Sequence, residues 1–135
     1  MNLNQVSLPS TNVELSAAFY RRLGFVQIVS NLPSYARFEC PLGESTFSLH
    51  QVAEVPKEGG VIVYFECADL DARCRALSDN GVIFDSPPTD QTWLWREAYL
   101  RDPDGNVICL FSAGKNRRYP PWRLPPPPLP ALTVS

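Results

Sequence analysis

The chain has 135 residues, 44% of them hydrophobic, and a net charge of -2, which fits one domain able to bury a core. No apolar run approaches the ~20 residues that span a bilayer, and the opening MNLNQVSLPS lacks the basic-then-apolar order of a secretory leader, so a cytoplasmic location is the expectation. Residues 1–113 carry 8 basic and 14 acidic side chains, a balance that argues against nucleic acid and tolerates a cationic small ligand.

In chain order, residues 3–8 alternate and predict a strand. Thr11 and Glu14 have capping-box spacing. Leu15, Phe19 and Leu23 then recur on one helical face, and Gly24 ends the helix. Strands follow at 25–29, 35–40 and 45–51, separated by the turns Asn31-Leu32-Pro33-Ser34 and Pro41-Leu42-Gly43-Glu44. The order then repeats. Residues 61–66 predict a strand, and Asp69 opens a helix bearing Leu70, Cys74 and Leu77 that stops at Gly81. A short strand is expected at 82–84, broken by Pro87-Pro88. A hairpin of 93–100 and 106–112 turns at Asp102-Pro103-Asp104-Gly105.

The helix-ending glycines, Gly24 and Gly81, lie 57 residues apart. The chain therefore reads as an α+β protein of two paired βαβββ modules, about 1–55 and 60–113, whose curved sheets form a cup. Such a concavity is a usual place for a small-molecule site.

The run QVSLPSTNVELSAAFYRRLGF resembles the opening of the vicinal oxygen chelate superfamily, which holds glyoxalases, bleomycin-resistance proteins and extradiol dioxygenases. YFECADLDARCRALSDNG and WREAYLRDPDGNVICLF resemble its later signatures. The resemblance spans roughly residues 3–112 and implies the fold more specifically than an activity, because one scaffold hosts many reactions. It also implies a homodimer. Metal-dependent members place His, Gln or Glu at four strand positions facing the cup, leaving open positions for substrate oxygens. Carried onto this chain, those positions hold Gln5, Ser48, Ile62 and Cys109. Only Gln5 is a donor type the family uses. A two-residue slip keeps the same strand face and brings in His50, the sole histidine.

The ligand-lining candidates are Gln5, Ser48, His50, Ile62, Tyr64, Glu66 and Cys109. His50 and Glu66 are the candidate catalytic groups, a near-neutral base and a carboxylate. The leading expectation is a small-molecule-binding protein of the glyoxalase/bleomycin-resistance type, without the family's metal and without a cofactor. The alternative is a divalent-metal-dependent lyase, isomerase or dioxygenase that coordinates through Gln5 and His50. The strand 93–100 offers two faces, Trp93, Trp95, Glu97, Tyr99 and Arg101 on one and Leu94, Arg96, Ala98 and Leu100 on the other, and the pattern does not choose between them. Cys40, Cys67, Cys74 and Cys109 lack metal-motif spacing and read as reduced thiols. Neither a Ser/His/Asp set nor a phosphate loop is expected; Gly59-Gly60 reads as a linker pair and Asp102 to Asn106 as turn chemistry.

Residues 114–135 form a basic arm holding Lys115, Arg117, Arg118, Arg123 and seven of the 14 prolines. Pro125 to Pro128 predict a polyproline-II run. A partner domain that reads proline is one possible receiver. The preferred expectation is that Tyr119, Trp122 and Arg123 anchor the arm on the acidic body of the same or a second chain.

Overall fold

The computed structural model describes residues 1–57 and 60–126. Gly59 of the linker pair and the latter half of the Pro125 to Pro128 run lie outside them. Among the described residues, eight strands and two α-helices occur in the order β1 (Gln5–Ser10), α1 (Val13–Arg22), β2 (Val26–Asn31), β3 (Tyr35–Glu39), β4 (Thr46–Gln51), β5 (Val63–Glu66), α2 (Leu70–Asp79), β6 (Phe84–Asp90), β7 (Arg96–Arg101) and β8 (Val107–Ser112). They build two four-stranded sheets of identical topology, β1-β4-β3-β2 and β5-β8-β7-β6. In each, the first strand pairs with the last in parallel and the remaining pairs are antiparallel. The expected pair of βαβββ modules is therefore present.

Gly24 and Gly81 both adopt positive φ (103° and 86°) at the helix ends, a conformation that costs other residues energy but not glycine. The details of α1 differ from expectation. Asn12, not Thr11, caps it, its Oδ1 accepting from the Leu15 amide at 3.1 Å. Thr11 is drawn away because its amide and hydroxyl both donate to Asp104 Oδ1 at 2.8 Å. The buried face is Val13, Ser16, Ala17 and Tyr20; of the expected stripe, Leu23 is buried and Phe19 packs against the core, while Leu15 is 56% exposed. Tyr20 sets that rotation. Its ring joins Phe25, Phe38 and Phe47, and its hydroxyl donates to Asp102 at 2.8 Å.

Leu3 lies outside β1 and is exposed, and Ile62 precedes β5 instead of belonging to it. Strand β6 runs through Pro87-Pro88, which had been expected to break it. It can do so because it is an edge strand whose register shifts between Ser86 and Thr89, so the missing proline donors interrupt no regular ladder. Strand β7 begins only at Arg96. Trp93 belongs to the preceding turn, where Leu94 takes φ 68°.

The helix sides of both sheets share one core, from Leu8, Phe38 and Leu49 to Leu70, Leu100 and Ile108. Phe25 and Phe65 meet across the modules at 4.5 Å between ring centroids. The turn after β7 is more than a turn. Asp102 accepts from Tyr20, Asp104 accepts from Thr11 and Ser16, and Asn106 Nδ2 donates to the Pro9 carbonyl at 2.9 Å. Second-module residues thus hydrogen-bond along the first module from Pro9 to Tyr20. Burial raises the Asp102 carboxyl against opposing hydrogen bonds. Burial also works against the Asp104 charge, but hydrogen bonds involving Ser10, Ser16 and Thr11 outweigh it and leave that carboxyl below its ordinary range.

Candidate functional sites on two open sheet faces

Each sheet buries one face under a helix and leaves the other open. On the first sheet, side-chain alternation puts Gln5 and Ser7 of β1, Tyr35 and Arg37 of β3, and Thr46, Ser48 and His50 of β4 on the open face. The register confirms the grouping, with Gln5 beside Thr46, Ser7 beside Ser48, Arg37 beside Ser48 and Tyr35 beside His50. Ser48 and His50 therefore share this face with Gln5.

A chain of polar contacts links them. Ser48 Oγ donates to Ser7 Oγ at 2.9 Å, and Ser7 Oγ lies 2.7 Å from His50 Nδ1. Arg37 Nε donates to the Tyr35 hydroxyl at 3.0 Å, with its guanidinium carbon 5.4 Å from the Tyr35 ring centre. Hydrogen bonding from Ser48, with further help from Arg37 and Gln5, favours the phenolate and lowers the Tyr35 pKa against burial. Gln5 Oε1 accepts from Thr46 at 2.8 Å. The face can therefore hold polar or anionic groups beside Arg37 and the acidified Tyr35 hydroxyl. Gln5 and His50 do not meet. They sit at opposite ends of the paired strands, four residues apart in register, about 13 Å along a strand.

The second open face has a different chemistry. Tyr64 and Glu66 of β5, Cys109 and Phe111 of β8, and Glu97, Tyr99 and Arg101 of β7 share it, since Tyr64 pairs with Cys109 and Glu97 with Phe111. This decides which side of the tryptophan-rich strand is open. Ala98 and Leu100 enter the helix-side core, while Glu97 and Tyr99 do not.

Trp95 stacks on Phe111 at 4.5 Å, and Tyr64 meets both edge-on at 5.9 Å. Glu97 is only 2% exposed. Its Oε2 accepts from Trp93 Nε1 at 3.2 Å and its Oε1 from the Tyr99 hydroxyl at 3.0 Å. Burial, with a contribution from its hydrogen bond to Glu97, holds the Tyr99 phenol well above its ordinary pKa. Burial and the neighbouring Glu97 push the Cys109 thiol up to about 12, so it stays protonated.

The arm meets this second face through a short 3-10 turn, Gly114–Arg117. Trp95 Nε1 donates to the Asn116 carbonyl at 3.3 Å, and Arg117 lies 3.9 Å from Glu66. The expected anchors do not act as such within the chain. Tyr119 and Trp122 remain 55% and 56% exposed. Arg123 instead covers the Tyr119 ring at 4.5 Å and donates to the Arg118 carbonyl, so these residues satisfy one another within the arm.

The sequence candidates thus fall into two groups. Gln5, Ser48 and His50 lie on the first face, while Tyr64, Glu66 and Cys109 lie on the second, with exposed Ile62 just before β5. The aromatic contacts between modules, Phe25 and Phe47 with Phe65, lie in the helix-side core and do not link the two groups. Sequence reading missed Ser7, Tyr35 and Arg37 and left Glu97 unassigned. Alternation within β3 and β1 was visible, but the register that brings them beside Ser48 was not.

Residues 2–110 match the Glyoxalase/Bleomycin resistance protein/Dioxygenase superfamily. Among solved structures, a glyoxalase/bleomycin resistance protein/dioxygenase from Nocardioides is 26% identical, with TM-score 0.75, covering 93% of this chain and 90% of that one. A bleomycin-binding protein complexed with bleomycin is 23% identical, with TM-score 0.69 and coverage of 83% and 98%. A lactoylglutathione lyase from Agrobacterium tumefaciens is 17% identical, with TM-score 0.68 and coverage of 82% and 92%. No curated protein matches the sequence.

Proposed function

Since the chain belongs to the glyoxalase/bleomycin resistance/dioxygenase superfamily, we propose that it is a small-molecule-binding protein that works without the metal of its catalytic relatives. The observation that carries this reading is the chemistry at the family's donor positions. By resemblance these are Gln5, Ser48, Ile62 and Cys109. Gln5 and Ser48 are engaged with Thr46 and Ser7, Ile62 has no donor atom, and Cys109 is held as a thiol. A divalent ion needs deprotonated or lone-pair donors converging on one point. His50 does not repair the set, because its Nδ1 faces Ser7 and its strand position is remote from Gln5.

The open faces are the ligand-binding surfaces in this reading, with Gln5, Ser48 and His50 contributing to one and Tyr64, Glu66 and Cys109 to the other. Exposed Val26 and Ile28 on the first sheet, and Ile62 just before β5, favour a homodimer that covers them. Four free cysteines suit a reducing, cytoplasmic setting.

Native mass spectrometry and elemental analysis of protein purified without chelator test the reading. A co-purified or added organic ligand with no stoichiometric metal is expected. One tight divalent ion per chain, lost in His50→Ala together with turnover, would overturn it in favour of the metal-dependent enzyme. Sedimentation should report a dimer, and a monomer at micromolar concentration would remove that part.

A further inference from the structure

Resting on the small-molecule-binding reading, we infer that the open face of the second sheet takes an organic cation of the quaternary-ammonium class, seated on Trp93 and Tyr64 with Glu97 as its buried counter-charge. Glu97 is 2% exposed, yet both its hydrogen bonds come from neutral donors, Trp93 and Tyr99. The ion pairs of this module engage Arg73, Arg96, Arg101 and Arg117, and among the described residues none reaches Glu97. A buried carboxylate without a cation is costly and favours a ligand that brings one.

The donors themselves point to the kind of cation. An indole or phenol that donates to a carboxylate gains electron density in its ring, which strengthens attraction of a cation over the ring face. Tyr64 shares this face and meets Trp95 and Phe111 edge-on at 5.9 Å. Trp93 and Tyr64 are 44% and 43% exposed, so ring surface is accessible. Phe111, stacked behind Trp95, supplies an apolar floor. A compact, strongly hydrated metal ion gains little from such rings, whereas a poorly hydrated ammonium surrounded by methyl groups gains both apolar and cation–π contact. The arm already brings one soft cation to the rim, since Arg117 lies 3.9 Å from Glu66, two residues along β5 from Tyr64. The first face, where Arg37 sits beside Tyr35, is built for the opposite sign.

Titrating the full-length protein with choline and with its neutral isostere 3,3-dimethylbutan-1-ol, followed by tryptophan fluorescence and calorimetry, tests the inference. Choline is expected to bind at least about tenfold more tightly than the isostere. Glu97→Gln should erase that preference while leaving isostere binding unchanged. Trp93→Leu, at a half-exposed turn position, should weaken choline even if the buried Glu97 variant folds poorly. Equal binding of the two probes, or choline binding unmoved by Glu97→Gln and Trp93→Leu, overturns the cation assignment. Binding of neither probe overturns it too. The broader reading stands or falls separately, on the co-purified ligand and the metal content.

Discussion

The two open faces are built on the same topology but hold opposite chemistry. On the first sheet, hydroxyls, an imidazole and a guanidinium bond to one another in the Ser48, Ser7 and His50 chain and around Tyr35. On the second, aromatic rings surround the buried Glu97 and the protonated Cys109. Duplicated topology therefore preserves strand order and register without preserving a site. The helix sides of both modules must fit one shared core, whereas each open face packs only within its own sheet, the second around Cys109 and Phe111, so the halves can differ there.

The sharpest way to break this comparison is to remove one group from each face. Phe111→Ala should cost about 3–5 kcal/mol, because its ring is buried under Trp95 and a cavity remains. Ser48→Ala should cost only about 1 kcal/mol, the net worth of one hydrogen bond. Chemical denaturation with matched slopes checks both, and similar losses would mean that the faces do not differ in how they are packed.

Next in size is the link between the modules. Tyr20→Phe should destabilise by about 1–3 kcal/mol, since it withdraws the hydroxyl that donates to buried Asp102. If the two faces were independently stable units, the variant would instead show two unfolding transitions.

The acid limb of stability probes the same link. Asp104 is held below its ordinary range, so its stabilisation is complete above the unfolded carboxylate pKa and is lost as pH falls through the lowered folded value. Asp104→Asn should flatten stability across that window. Asp102 has the opposite sign. Its raised carboxyl stabilises most below the unfolded pKa, and that contribution disappears as pH rises through the folded value. Urea midpoints measured from acid to neutral pH separate the two, and an unchanged acid limb in Asp104→Asn would show that its bonds to Thr11 and Ser16 do not hold the modules.

The smallest expected effect is spectroscopic. Tyr35, lowered by hydrogen bonding, should ionise well before Tyr99 and Tyr20, both raised chiefly by burial. Arg37→Met should move the early phenolate transition upward and leave the late one in place. If both moved together, the faces would be electrostatically coupled.

Much of the fold was legible in the residues because its signals are local. Gly24 and Gly81 stop helices whatever they pack against, and Leu70, Cys74 and Leu77 mark a buried stripe by spacing alone. Local rules failed where distant groups competed. Thr11 gave up the cap to bond Asp104, Tyr20 took the core while Leu15 was left exposed, and edge position let β6 carry two prolines.

By itself, then, the sequence determined the duplicated module and the acidic body, since composition and periodicity need no partner to be read. Only the tertiary structure decided that Glu97 and Tyr99 face outward with Tyr64, that Ser7 lies against His50, and that the arm touches the body through Asn116 and Arg117 while Tyr119 and Trp122 stay exposed. Those facts depend on strand register and on which side each helix covers, and shifting a strand by one residue would reverse every one of its side chains.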